Sequence, residues 1–227
     1  MLYPAVAVLI VGSIGLAAYA RSKVQGTVRR FRQVPGRVGL SGREVAEYVL
    51  RAGGVEGVEI QQVDGFLSDH YDPRKRQLRL SADVYSGRDL AAFGIAAHEA
   101  GHAIQHATGY TLLGLRSFTA PLAQLGGTLG FPLAIVGASL RMPPLMVAGL
   151  LLFALVVMFQ LLTLPVELDA SRRAVHILRG SGLVETEEEE MGVRSVLSSA
   201  ALTYLAAAVT GIASLAQFAL RLFGRRF

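Results

Sequence analysis

Residues 91–109 read AAFGIAAHEAGHAIQHATG, and the letters HEAGH within them place two histidines, His98 and His102, four positions apart. On an α-helix, residues four apart lie one turn apart on the same face, so both imidazoles can bind one metal ion. Glu99 directly follows the first histidine. Its carboxylate would therefore lie beside such an ion, where it can accept a proton from bound water and pass it to a leaving group. The stretch predicts a helix that carries two metal ligands and a general base.

Signals for helix ends flank this motif. Residues 86–89, SGRD, form an S-x-x-D start pattern, and Gly109 offers a stop. Gly101 lies in mid-helix, where glycine costs about 1 kcal/mol relative to alanine, which indicates the close approach of another segment or a ligand. His106 lies about 5.4 Å beyond His102 along the axis, too far to share an ion with the first two ligands. The alternative is a buried helix with two structural histidines.

The composition is that of a membrane protein. Hydrophobic residues make up 52% of the 227 positions, more than an ordinary soluble domain contains. Cysteine is absent, so a metal would have to be bound by histidines and carboxylates. Four apolar runs are each long enough to cross a hydrocarbon layer of about 30 Å as a helix. They lie at residues 2–20, 118–140, 146–164 and 201–220.

The charge pattern predicts topology rather than binding to nucleic acid. The net charge is +5, but the basic residues lie beside apolar runs and not in a polar patch with interleaved aromatic residues. No basic residue precedes the first run, which indicates a retained anchor and not a signal peptide. Six basic residues follow that run, and by the positive-inside rule they face the cytoplasm. They are Arg21, Lys23, Arg29, Arg30, Arg32 and Arg37. With four spans, the tail with Arg221, Arg225 and Arg226 would then lie outside.

The region between the first and second runs reads as a small α+β domain. Residues 41–44, SGRE, form a capping box that opens an amphipathic helix with Val45, Tyr48 and Val49 inward. Two short strands are predicted at residues 58–63 and 77–80, and an edge strand beside the metal helix could add an extended peptide by backbone hydrogen bonding. Between these strands lies one more histidine. It is a candidate to stabilise an oxyanion or to support a ligand, or it is only a turn residue: His70.

A carboxylate could complete the metal site from a distant segment. Two apolar runs separate His102 from Glu167, so both return to the same membrane face. With two imidazoles, a carboxylate there would leave the fourth position of a tetrahedral ion for water. Glu167 and Asp169 are two residues apart and diverge by about 200° on a helix, so only one of them can reach that ion. Alternatively, both cap a helix or pair with Arg172 and Arg173.

The run LSDHYDPRKRQLRLSADVYSGRDLAAFGIAAHEAGHAIQHATGY, followed by LRS and LPVELDASRRA, closely resembles the YugP-like family of bacterial membrane neutral zinc metallopeptidases. The resemblance extends from Ser41 to about Ala174. It implies a multi-pass membrane zinc endopeptidase of the glutamate-zincin (gluzincin) type. On the matching positions, Zn²⁺ would be bound by His98, His102 and Glu167, and the catalytic base would be Glu99.

The resemblance also bears on the choice between the two carboxylates. Glu167 matches the family pattern and stands nearer the end of the apolar run, so we expect it to be the third ligand. Asp169 would then orient a histidine by accepting its second N–H. Membrane gluzincins of the HtpX and CAAX-processing kind have an aspartate four residues after the ligand glutamate. This sequence has Ser171 there instead.

We therefore expect a mainly α-helical membrane protein with four spans and a small α+β zincin-like metallopeptidase domain on the cytoplasmic face of the cell (plasma) membrane. Its expected partners are a polypeptide substrate and the lipid bilayer, not nucleic acid. The expected segments are a transmembrane helix at 1–20, a basic juxtamembrane segment at 21–38, the metallopeptidase domain at 39–117, a transmembrane hairpin at 118–164, the third-ligand segment and acidic loop at 165–195, and a transmembrane helix with a basic tail at 196–227.

The expected activity is hydrolysis of peptide bonds by a zinc-activated water, with Glu99 as general base. Two alternatives are open. A non-catalytic zinc-binding scaffold or regulator would gain nothing from Glu99, which is not a ligand. An intramembrane metalloprotease would need the metal helix inside the bilayer, but only residues 91–97 form an apolar run before the motif, and Arg88 and Asp89 precede them.

Overall fold

The computed structural model describes residues 2–223, with the side chains of residue 8 and residues 11–219. The chain is mainly helical with one small sheet, as predicted. The helices are α1 (Leu2–Phe31), α2 (Gly42–Ala52), α3 (Ala82–Ser86), α4 (Leu90–Ala107), α5 (Thr111–Leu125), α6 (Phe131–Ser139), α7 (Pro143–Gly180) and α8 (Glu187–Phe223). A π-helical segment, Gly126–Gly130, joins α5 to α6. The strands are β1 (Glu59–Val63), β2 (His70–Asp72) and β3 (Gln77–Ser81).

The chain divides into two compact units. The apolar unit comprises Met1–Arg21, Leu112–Pro165 and Leu202–Phe227, and the site unit comprises Ser22–Thr111 and Val166–Ala201. The predicted metal motif and both candidate carboxylates fall in the site unit.

Within the described residues, three helical stretches are long and apolar enough to cross a membrane. They are Thr111–Ser139, Pro143–Gly180 and Glu187–Ala219. The first predicted span, residues 2–20, lies in α1, and most side chains of its first half are outside the described ones. That fourth span stays a prediction. The predicted basic tail also falls outside the described part of the chain, because the side chain of Arg221 and all of residues 225 and 226 lie beyond it.

In the apolar unit, α6 and the start of α7 form an antiparallel pair joined by a tight turn. The turn includes Arg141 with φ 53°. Gly137 lies against the backbone of Met146, and Gly130 lies against Phe153 so closely that a Cβ atom would stand 2.8 Å from the Phe153 nitrogen. Glycine is needed at these positions because small residues let apolar helices approach at backbone distance.

In the site unit, α2 packs on α4, and α4 packs on β2 and β3 of a three-stranded sheet of order β1-β3-β2. β1 pairs with β3 in parallel, whereas β2 pairs with β3 antiparallel. The central strand β3 buries Leu78 and Leu80 completely. The sheet therefore has two edges, β1 and β2. The structure adds β2 to the two predicted strands, since pairing with β3 and not local propensity forms this three-residue strand.

The predicted capping box of α2 is confirmed. The Ser41 hydroxyl accepts a hydrogen bond from the Glu44 N–H at 3.3 Å, and the Glu44 carboxylate accepts one from the Ser41 N–H at 2.7 Å. Val45 and Val49 are buried, as predicted. The expectation for Tyr48 is wrong, because this residue at the edge of the apolar stripe is 38% exposed.

Candidate metal centre

Helix α4 holds the motif at its middle and has well-defined ends. The Asp89 carboxylate accepts a hydrogen bond from the Ala92 N–H at 2.9 Å and caps the N-terminus. Ser86, the first residue of the predicted start pattern, instead ends α3. The helix stops where expected, because Gly109 adopts the left-handed conformation with φ 66° just beyond it. The motif thus lies more than one turn from either end, on a regular helix.

Gly101 allows α7 to approach α4 at this point. A Cβ atom on Gly101 would stand 2.8 Å from the carbonyl oxygen of Ala170, and Ala170 itself is fully buried. The expected close approach of another segment is therefore observed, and that segment is α7. Because Glu167 lies one turn before Ala170 on the same helix, this contact carries its carboxylate to the histidines.

Two imidazoles and one carboxylate converge at this contact. The Nε2 atom of His98 lies 3.1 Å from one carboxylate oxygen of Glu167, and the Nε2 atom of His102 lies 3.6 Å from the other. The two rings stand edge to face with centroids 4.7 Å apart. His102 and Glu167 are buried, whereas His98 is partly exposed. One candidate ligand atom from each residue lies within 4.8 Å of the other two.

This arrangement fits a zinc ion. Imidazole nitrogen and carboxylate oxygen are zinc ligands with bonds of about 2.0–2.2 Å, so neighbouring ligand atoms of a tetrahedral site are about 3.3 Å apart. The two separations of 3.1 Å and 3.6 Å lie on either side of that value. A cation among the three side chains would bind the buried Glu167 carboxylate, which the two imidazoles already contact. Three protein ligands also leave one position open.

The far side of each imidazole is held by a polar side chain. The Ser171 hydroxyl lies 3.1 Å from His98 Nδ1. The Gln105 amide oxygen lies 2.9 Å from His102 Nδ1, and the Gln105 amide nitrogen donates to an Asp169 carboxylate oxygen at 2.8 Å. Asp169 therefore reaches a histidine only through Gln105, and not by the direct contact expected from the sequence.

Sequence reasoning missed Gln105 and assigned no contact to Ser171. Their signals were present in the chain. Gln105 follows the second histidine by three residues and Ser171 follows Glu167 by four, which are the spacings of one helical turn.

Electrostatic interactions link this group to the partly buried carboxyl of Asp69, on the segment before β2. Burial alone would lower the pKa of His102, but hydrogen bonding to Glu167 and the charge of Glu99 outweigh it, so the pKa of His102 is raised. Burial raises the pKa of Asp69 although Ser81 donates to it from its backbone N–H at 2.7 Å, and the negative charge of Glu99 raises that pKa further. Glu99 is partly exposed and so is accessible to water.

The two remaining histidines of this region lie outside the three-residue group. His70 is exposed on β2, and its Nδ1 donates to the Ser68 carbonyl oxygen at 2.8 Å. His106 is exposed one turn beyond the motif, where its Nδ1 lies 2.9 Å from the Tyr71 hydroxyl. The expectation that His106 is not a third ligand agrees with this placement. The role of His70 stays a prediction.

Comparison with known proteins gives one consistent result. Residues 6–223 match the protein family described as "Putative neutral zinc metallopeptidase". The chain is 40% identical over 220 residues to "Putative membrane protease YugP" of Bacillus subtilis (strain 168), an alignment that covers 92% of this chain and 93% of that protein. No solved structure matches the chain. With a family match over nearly its whole length and a relative of this identity and coverage, the chain belongs to the family described as "Putative neutral zinc metallopeptidase".

Proposed function

We propose that this protein is a membrane-bound zinc-dependent endopeptidase. The observation that carries the proposal is the convergence of His98, His102 and Glu167 at separations suited to one zinc ion, with Glu99 beside them and outside the ligand set. Family membership supports zinc as the cofactor and hydrolysis of peptide bonds as the reaction. A zinc site that serves only structure is normally closed by four protein ligands, whereas three ligands and a neighbouring carboxylate suit hydrolysis.

In the proposed reaction, the metal ion acts as a Lewis acid and Glu99 transfers protons. A bound Zn²⁺ would supply a Lewis acid that polarises the peptide carbonyl and acidifies water. Glu99 would accept the proton of the attacking water and deliver it to the leaving amine, a general acid–base role that contributes about 10²–10⁴-fold to rate. Glu99 meets the requirement of access to water, because its side chain is partly exposed.

We propose that an extended peptide binds along β2. β2 is an edge of the sheet and packs next to α4, so its free backbone groups could pair with a substrate strand beside the motif. His70 lies on this edge and is exposed. We propose that it contacts substrate or the developing oxyanion.

We further propose four spans in the cell (plasma) membrane and a zincin-like catalytic domain on the cytoplasmic face. The positive-inside rule supports this orientation, because six basic residues follow the first apolar run. The three candidate spans and the membrane protease among the relatives support a location in a membrane.

Glu99→Gln tests the proposed function, because it removes the base and no ligand. The full-length protein in detergent should retain nearly all its zinc per chain but lose about 10²–10⁴-fold in turnover of casein or a fluorogenic peptide. The matched control is Glu56→Gln, an exposed position, which should leave both measurements unchanged. Full activity of the metal-loaded Glu99→Gln variant would refute the base, and wild-type activity that persists after chelation would refute the zinc dependence.

A further inference from the structure

Gln105 is a completely buried amide with every polar atom engaged. Its amide nitrogen donates to the Val166 carbonyl oxygen at 2.9 Å and to an Asp169 carboxylate oxygen at 2.8 Å. Its amide oxygen lies 2.9 Å from His102 Nδ1. Arg173 Nε donates to the same Asp169 oxygen at 2.6 Å. A buried side chain with this set of partners can take only one orientation.

The partners of Gln105 determine where the proton of His102 sits. A backbone carbonyl and a carboxylate paired with Arg173 only accept hydrogen bonds, so the amide nitrogen must face them and the amide oxygen must face His102. That oxygen also only accepts, so His102 Nδ1 must carry the hydrogen. When the ring is neutral, the Nε2 atom of His102, which faces Glu167, is then left with the lone pair that a metal ion needs.

The other histidine lacks this constraint. The partner of His98 Nδ1 is the Ser171 hydroxyl at 3.1 Å, and a hydroxyl can either donate or accept. Ser171 therefore holds the ring of His98 but is compatible with both neutral tautomers. The surroundings therefore select one neutral tautomer of His102 but not of His98.

Gln105 also spans both helices of the group. Its bond to the Val166 carbonyl fixes α7 at the residue that precedes Glu167, while its bond to His102 fixes a ring on α4. The buried Gln105 side chain on α4 thus positions both the His102 ring and the backbone next to Glu167.

We propose that Gln105 is a positioning residue of the metal centre. It fixes His102 as the Nδ1–H tautomer and, through its hydrogen bond to the Val166 carbonyl, keeps the Glu167 carboxylate next to the two histidines. Asp169 acts through it by fixing the amide orientation. The inference rests on the proposed zinc site for its purpose, but the tautomer it specifies is a property of the metal-free protein.

The first test is therefore made without metal. In full-length protein labelled with ¹⁵N-histidine, treated with chelator and held at a pH high enough for the ¹⁵N shifts to show neutral rings, long-range ¹H–¹⁵N correlations report the tautomer of each ring. His102 should be in the Nδ1–H form in wild type and should lose that preference in Gln105→Met, which keeps the side-chain volume and removes the amide. Assignment of the Nε2–H form to His102 in wild type would overturn the proposal without any variant.

The second test measures zinc affinity by competition with a chromophoric chelator. Gln105→Met should bind zinc about 10- to 100-fold more weakly than wild type, the usual cost of losing a partner of a ligand. Ser171→Ala should lose less, because its hydroxyl does not select a tautomer. Gln62→Met, at an exposed position on β1, is the matched control and should bind as wild type does.

The two tests separate this inference from the proposed function. Unchanged affinity in a folded Gln105→Met variant would overturn the positioning role while the zinc site stands. A wild-type protein that binds no zinc would refute the proposed function, and the tautomer measured in metal-free wild type would still decide whether Gln105 specifies His102.

Discussion

Gly101→Ala is the substitution that most directly tests how the two helices form the metal centre. The added Cβ atom would stand 2.8 Å from the Ala170 carbonyl oxygen, where ordinary van der Waals contact begins at 3.4 Å. The neighbour is backbone, which cannot rotate away as a flexible side chain can. We expect α7 to retreat from α4 by roughly 0.6 Å at this point.

The effects on stability and on metal binding should differ in size. Alanine in place of a mid-helix glycine gains about 1 kcal/mol of helix propensity, whereas overpacking a tight contact costs about 1–3 kcal/mol. The net loss of about 0–2 kcal/mol is small enough for the fold to survive. Ligand distances at metal sites are specified within about 0.2 Å, so moving Glu167 by several tenths of an ångström should weaken zinc binding at least about tenfold.

Two measurements on metal-free and zinc-titrated protein check this prediction. Thermal unfolding of the metal-free variant should stay cooperative, and its zinc affinity should fall as stated. Gly26→Ala is the matched control, since the structure has nothing within 4 Å of a Cβ atom on this exposed glycine of α1. This control should gain slightly in stability and bind zinc normally. If Gly101→Ala binds zinc as tightly as Gly26→Ala, the contact with Ala170 does not position the ligands.

Three further outcomes are expected. Glu167→Ala should release most of the zinc at micromolar metal, whereas Asp169→Asn should weaken binding about 10- to 100-fold but leave it measurable, and the reverse order in metal titrations would make Asp169 the ligand. Burial raises the folded-state pKa of Asp69. The protonated Asp69 side chain therefore contributes favourably to the free energy of unfolding, and this contribution is lost as the pH rises through the folded-state pKa. The melting temperature of Asp69→Asn minus that of wild type should therefore increase as the pH rises above about 4, the ordinary pKa of an aspartate, and a difference that does not change with pH would contradict this sign. Reporter fusions after Arg37 and Arg179 should both score as cytoplasmic, and opposite sides would disprove the proposed topology.

Local periodicity determined the parts of this protein that could be predicted from the sequence. The four-residue spacing of His98 and His102 puts both rings on one face of any regular helix, because each residue turns the chain by about 100°. The capping box at Ser41 was predictable for the same reason, since its hydrogen bonds join residues three apart. The apolar runs were predictable from length and composition alone.

Features that depend on contacts between distant segments were decided only by the tertiary structure. Whether Glu167 or Asp169 faces the histidines depends on the rotation of α7 about its axis, and packing of Ala170 against Gly101 sets that rotation. The same packing brings the Val166 carbonyl and Asp169 to Gln105, which explains why this amide was missed. No local pattern encodes these contacts, because their free energy comes from burial and hydrogen bonding between residues more than sixty positions apart.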